Sequence, residues 1–409
     1  MANELSFNDI STTLNSIMKQ ASGVDTMAPI NTRDFVQQAD FTLKQGVDRV
    51  MGAISQVLDH TVFSTRPYNR KFASLYKNSQ QWGNHVRKIN MLDSDFEPDD
   101  REMMKTEGTS VDMYKVHKGV PLQANFYGGQ TYQFSRTYFR DQLNQAFKSP
   151  EELGSFITMY TQNMLDCIEK AHEELARYCV VNYIAAKKYW QDKTTTPDSS
   201  GVWTQSQVGG THALHLVTMY NDETGSNLTS DTVKLPANFP AFWKWAVSKI
   251  LQVSDKMTER SVYYNIRINK KSINRHTPKS KQHLYLYAPD IRLAETSVLS
   301  DVYHKELLNL GSFESVNYWQ SIDSPDGINI SKIGVTAPNG TPTILDIPIQ
   351  QQSVLGVLFD EDAIGYTMIN EWSATTPFNA RGGYSNVYYH FTDRYWNDLT
   401  EFGVVFLLD

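Results

Sequence analysis

Residues 149–189, SPEELGSFITMYTQNMLDCIEKAHEELARYCVVNYIAAKKY, constrain the fold more than any other stretch. Ser149 can cap a helix, Pro150 suits the first helical position because its missing N–H is not needed there, and Glu152 completes a capping box. Leu153, Phe156, Ile157, Tyr160, Met164, Ile168, Ala171, Leu175 and Cys179 then recur at helical spacing. The pattern predicts one amphipathic helix of roughly 38 residues, about 57 Å long and well over the usual length. A helix of that size acts as a girder. Cys167 and Cys179 sit on it about 18 Å apart, too far to bridge, and read as packed thiols.

The last residues, NVYYHFTDRYWNDLTEFGVVFLLD, give the next constraint. Phe402 to Leu408 form an apolar run of strand length that needs cover on both faces, so the chain is expected to finish inside a sheet. Val387, Tyr389 and Phe391 alternate with Tyr388, His390 and Thr392, the period of a strand with two unlike faces. The two runs read as an antiparallel pair joined by DRYWNDLTEFG.

With 409 residues, 40% hydrophobic and 12% aromatic, the chain can fill two or three cores. Its net charge of −7 argues against wholesale binding of nucleic acid or anionic membrane. No apolar run reaches the roughly 18 residues of a membrane span. MANELSFNDI lacks the basic start and apolar centre of a signal peptide, so synthesis and retention in the cytoplasm are expected.

Residues 7–22 read as a short helix capped by Asn8. A second helix over 32–60 carries Phe35, Ala39, Leu43, Val47, Val50, Ile54, Val57 and Leu58, with an interruption at Gly46. Neither has a partner nearby in sequence, so this region reads as an arm laid on something else. From Gln80 to Arg140, strand-like flanks enclose DSDFEPDDREMMKTEGTS. That segment sets Asp93, Asp95, Glu97, Asp99, Asp100, Glu102 and Glu107 against Arg101 and Lys105. It has too little apolar surface for a core and is expected to project as a long loop or hairpin. Beyond the girder, 193–235 reads as loop, 240–257 as helix, 283–289 as strand and 290–307 as helix. Turns at Pro325-Asp326-Gly327 and Pro338-Asn339-Gly340 then separate strand-like runs, and VLGVLFDEDAIGYT precedes the terminal pair.

Chemistry is sparse. Glu169-x-x-His172 has the spacing of half a di-iron carboxylate site, but no second half exists, which favours an exposed helix face. His212-x-x-His215 lacks a third ligand nearby. Asp360-Glu361-Asp362 fits an acid/base or cation site, and fits a polar turn between strands as well. There is no nucleophile elbow, phosphate-binding loop, HExxH or CxxC. No catalytic residue, cofactor or metal site is therefore expected. Arg267, Lys270, Lys271, Arg275, Lys279 and Lys281 lie beside Tyr263 and Tyr264 with no acid among them. Such a mixture could bind single-stranded nucleic acid or meet an acidic neighbour.

The order of parts is itself a pattern, carried by SFNDI at the start, by the out-and-back loop feeding the helix from Pro150, and by VLFDEDAIGY, FNARGGYSNVYYHF and FGVVFLLD at the end. It resembles the major capsid protein of tailed double-stranded DNA bacteriophages with the Hong Kong 97-type fold, most of all in short-tailed phages of the phi-twenty-nine type. The resemblance covers most of the chain and is least in 193–285. It implies an α+β fold with an N-terminal helical arm over 1–75, an extended loop over 76–140, a peripheral domain with spine helix over 141–192 and 351–409, and an axial domain over 193–350. It also implies neither an added immunoglobulin-like domain nor a cleaved N-terminal scaffolding segment. In this family's terms the chain self-assembles through hexamers and pentamers into an icosahedral or prolate shell around double-stranded DNA, without reading its sequence.

The same likeness implies help from scaffolding protein and portal, no membrane partner and no enzyme activity. The site would be the virion capsid, reached from the host cytoplasm during assembly. The terminal strand would close the peripheral sheet beneath the long helix. The acidic loop would lie on a neighbouring subunit, making Asp93, Asp95, Glu97, Asp99, Asp100, Arg267, Lys270 and Lys271 candidate intersubunit contacts. The alternatives are a decoration or tail component, a nucleic-acid-binding protein using 261–281, and a carboxylate metalloenzyme.

Overall fold

The computed structural model describes residues 12, 14–16, 18–19, 71–77, 85–91, 108, 110, 112–114, 116, 118–119, 121–127, 129–139, 150–195, 210–264, 273–298, 313–336 and 342–409. They fall into two compact units: Met1–Gly83, Gly128–Ala176 and Tyr366–Tyr395 in the first, Asn84–Tyr127, Arg177–Gly365 and Trp396–Asp409 in the second. Helix α1 (Pro150–Thr195) contributes residues to each and is 46 residues long, so it spans about 69 Å. It outruns the sequence expectation because the apolar repeat stops near Trp190, while Gln191 and Lys193 beyond it are good helix formers and Lys188 pairs with Asp192 one turn on. Its end falls two residues short of Pro197, as a proline's restriction on the preceding residue requires.

In the first unit, described positions between 12 and 19 are helical, with Leu14 and Met18 buried. The predicted helix over 32–60 lies outside the described residues. Strands β3 (Gln130–Phe139), β12 (Ile364–Thr375) and β13 (Tyr384–Asn397) form a sheet in the order β12-β13-β3. β13 runs antiparallel to β3, with Tyr389 opposite Phe134 and Phe391 opposite Tyr132. One face buries Val387, Tyr389 and Phe391, and Tyr132 and Phe134 stack on Phe391 at 5.4 and 5.7 Å. His172 of α1 meets the Phe391 ring edge-on at 5.5 Å on that face. Tyr76 bridges Tyr366 in parallel, adding the 71–77 segment beside β12.

In the second unit, five strands run in the order β4-β14-β11-β5-β6. They are β4 (Ala213–His215), β5 (Gln282–Tyr287), β6 (Glu314–Val316), β11 (Val354–Asp360) and β14 (Gly403–Leu407). Every residue of β11 and β14 is buried, which requires cover on both faces. Helices α2 (Leu216–Thr224), α3 (Phe239–Thr258) and α4 (Ala288–Val298) belong to this unit. They cluster Leu216, Phe242, Trp243, Ile250 and Ile291 with Leu284, Leu286, Val404 and Phe406 of the sheet. On the other side Tyr183 of α1 lies 5.9 Å from Phe359, which lies 5.4 Å from Tyr285. Burying each such side chain contributes about 1.5–3 kcal/mol. At Gly356, beside a register shift in β11, an added Cβ would sit 2.5 Å from the Tyr285 carbonyl, so glycine alone lets β5 approach.

Three expectations change. The last two strands do not pair with each other: β13 joins β12 and β3, while β14 lies between β11 and β4 in the other sheet. Period and apolarity predicted two strands correctly, but they do not name a strand's partner, and the five residues between Asn397 and Gly403 lead into a different sheet rather than a tight hairpin. The loop-rich 193–235 region contains β4 and α2, which are too short for a periodic signal. Finally, α1 is more than an amphipathic girder: Cys179, Val180, Val181, Tyr183, Ile184, Ala185, Ala186, Lys187, Tyr189 and Trp190 are all buried.

The remaining strands make two small antiparallel pairs, β7 (Ile328–Ile330) with β10 (Ile349–Gln351) and β8 (Ile333–Thr336) with β9 (Pro342–Leu345). Asn182 of α1 holds the second pair by a two-way contact with Gly334. Its Nδ2 donates to the carbonyl at 3.2 Å, and its Oδ1 accepts from the amide at 2.8 Å.

Candidate assembly surface

In the second unit, β1 (His85–Met91) pairs antiparallel with β2 (Pro121–Tyr127), with Lys88 opposite Ala124 and Ile89 opposite Gln123. Period 2 then sorts the residues onto two faces. Lys88, Asn90, Ala124 and Phe126 are half-buried, whereas Arg87, Ile89, Met91, Pro121 and Gln123 are exposed. Ile89 is 57% and Met91 62% accessible, and Met113, Tyr114 and Val116 between the strands are more open still. Exposed large apolar side chains that form a contiguous patch are a feature of interaction surfaces.

The inward face is held by charge. Lys88 Nζ donates to Asp398 Oδ2 at 3.0 Å and to Glu401 Oε1, both on the buried turn between β13 and β14. Glu401 Oε1 also accepts from Arg275 Nη1 at 2.5 Å. Asp398 Oδ1 accepts from the Thr400 amide at 2.9 Å and from its hydroxyl at 2.5 Å. Lys187, fully buried on α1, donates to the carbonyls of Tyr264, Leu399 and Glu401 at 3.1, 3.5 and 3.4 Å. Burial works against the Asp398 charge, but Lys88, the Thr400 hydrogen bonds and Arg275 outweigh it and hold the carboxyl below its usual range. Burial pushes Glu401 the other way, with the Asp398 charge adding to it, despite Lys88 and Arg275. Burial also opposes the Lys88 charge, yet the two carboxylates raise its pKa overall. Burial pushes Lys187 down to about 7 against the pull of Asp398 and Glu401.

In the first unit, the outer face of the β3–β13 pair presents Thr131, Gln133, Ser135 and Thr137 opposite Thr392, His390, Tyr388 and Asn386. These eight residues include no Asp, Glu, Lys or Arg. Trp372 of β12, half-exposed, stacks on His390 at 4.0 Å.

All eight candidate contacts, Asp93, Asp95, Glu97, Asp99, Asp100, Arg267, Lys270 and Lys271, lie outside the described residues. The other candidates resolve into structural roles. Glu169 and His172 are buried rather than on an exposed helix face, because α1 packs there and His172 Nε2 lies 3.0 Å from Asp393 Oδ2. His212 and His215 have separate surroundings: the His212 amide donates to Gln191, and His215 Nδ1 lies 2.6 Å from Asp409 Oδ1. Asp360 ends β11 and braces the turn that follows, accepting from Thr277 Oγ1 at 2.6 Å and from the Asp362 amide at 2.8 Å. Among the described residues no group of three or more His, Cys, Asp or Glu could hold a metal, and no helix is long and apolar enough to cross a membrane. Lys88 and Glu401 escaped sequence reasoning, since neither belongs to a cluster or motif and 313 positions separate them.

A family model described as Phi29-like phage major capsid protein matches residues 14–407. The chain is similar to one in the structure of the head fiber and inner core protein gp22 of native bacteriophage P68, with 9% identity and a TM-score of 0.51, covering 83% of this chain and 85% of that chain. A chain of the Staphylococcus phage Andhra capsid aligns over 83% of this chain and 84% of that chain, at 10% identity and a TM-score of 0.48. A Mycobacterium phage Che8 chain does so over 83% and 91%, at 10% identity and 0.41. No curated protein matches.

Proposed function

The chain belongs to the Phi29-like phage major capsid protein family, and from that premise we propose how it builds its shell. It is a major capsid protein with the α+β fold of phage capsids, a component of the virion that functions as an oligomer. The finer reading is that the β1–β2 hairpin and the loop between its strands dock on a neighbouring copy. One observation carries this reading: Ile89 and Met91 of β1, and Met113, Tyr114 and Val116 between the two strands, are all exposed. A subunit repeated by symmetry can cover such residues with the next copy. The arm, extended loop, peripheral and axial divisions extend this proposal. So do hexamers and pentamers, scaffolding protein and portal as partners, assembly in the host cytoplasm around double-stranded DNA, and a purely structural, non-enzymatic role.

Electron microscopy of the expressed chain, with and without co-expressed scaffold, tests this. Shells, sheets or tubes are expected from the wild type, and none from I89S/M91S at equal soluble yield and unchanged circular dichroism. Wild-type particle yield from I89S/M91S would remove the hairpin from the lattice contacts.

A further inference from the structure

The contact between Lys88 and the Asp398–Glu401 pair is unequal at its two ends. On the hairpin side, the described inward-facing residues Lys88, Asn90, Ala124 and Phe126 are half-buried and none of them is fully buried. A two-stranded hairpin by itself is marginal in water. Lys88 reaches inward: its head group meets carboxylates whose side chains are 2% and 6% accessible, while its own remains 21% accessible to water. On the other side, both carboxylates keep partners without it. Glu401 retains Arg275, and Asp398 retains the amide and hydroxyl of Thr400. Lys187 is held by carbonyls rather than by Lys88's acceptor atoms, so it also stays in place.

We infer that Lys88 is a withdrawable charged pin, fixing the β1–β2 hairpin on its own chain through Asp398 and Glu401 and leaving the five-stranded sheet intact when it departs. The pinned face turns Lys88, Asn90 and Ala124 inward, so the same contact sets the direction in which Ile89 and Met91 point outward. A subunit can then display its apolar hairpin in a defined orientation, or free it, at the cost of one ion-pair cluster and with no rearrangement of the core. The pin itself rests on contacts within this chain; only its use in docking rests on the reading of the hairpin as a lattice contact.

Hydrogen–deuterium exchange on the unassembled subunit tests the pin, comparing wild type, Lys88→Met and Lys88→Arg. In Lys88→Met, exchange in 85–91 and 121–127 is expected to rise at least tenfold, with 282–287, 354–360 and 403–407 unchanged. Lys88→Arg, which keeps the charge and can engage carboxylates through two donors, should stay near wild type. Unchanged hairpin exchange in Lys88→Met would overturn the inference, because the ribbon would then be held by something else. A rise across all five strands would overturn it too, by making Lys88 a brace of the core. Loss of protection in Lys88→Arg equal to that in Lys88→Met would remove charge as the cause. Particle yield is scored separately, on I89S/M91S, and bears on the docking reading alone.

Discussion

At the residue scale, the protonation of buried Lys187 is linked to folding. Burial lowers its pKa to about 7, whereas an unfolded lysine titrates near 10.4. Between those values the unfolded chain holds more protons, so stability rises with pH; below about 7 this contribution is level. Cys179, pushed up to about 12 by burial, acts in the opposite direction once its unfolded thiol ionises near 8.5. Tyr183 and Tyr264, both raised by burial, and Lys88, raised overall, oppose the trend only near pH 10 and above. The usable window is therefore pH 7 to 8.5. Denaturant unfolding of the subunit should show stability climbing there by up to about 1.4 kcal/mol per pH unit. Lys187→Met should lose that slope and cost about 1–3 kcal/mol at pH 7, since three buried carbonyls lose a donor. A slope shared by both proteins would assign it to other groups. None of this is legible in the sequence, where Lys187 is one of two adjacent lysines and only the fold distinguishes buried Lys187 from half-buried Lys188.

At the element scale, the legible features were those with a strong period. Helix α1, α3 and strands β5, β11, β13 and β14 all follow from apolar spacing, because burial on one or both faces writes itself into residue order. What period cannot encode is partnership, and so the final two strands were wrongly paired. The β8–β9 pair shows the same limit: its position is set by Asn182, a lone polar residue among buried neighbours on α1. Replacing it by alanine removes both hydrogen bonds to Gly334. The expected cost is about 1–2 kcal/mol, with faster amide exchange confined to 333–336 and 342–345. Equal exchange in wild type and Asn182→Ala would mean that side-chain packing alone seats the pair.

At the scale of the whole molecule, the order of parts in the sequence resembled a phage major capsid protein, and the family match over residues 14–407 bears that family out. The surface was less legible. Its acidic stretch was visible, but the apolar display of Ile89 and Met91 was hidden in an ordinary strand alternation. Reversing the charge of Asp99 and Asp100 is expected to lower particle yield while the subunit stays folded; full yield by sedimentation would exclude that stretch from the contacts. One arrangement described above also governs timing. β14 fills the gap between β11 and β4, and Val405 pairs with Ala213, nearly two hundred residues earlier. A ribosome therefore delivers β14 after both of the strands that flank it. Until then β4 and β11 wait with open edges, and closing so distant a contact is slow relative to local helix formation. The subunit's folding clock starts only when residues 403–407 emerge, so each new copy stays incompetent to pack its core until almost all of the present sequence has been made.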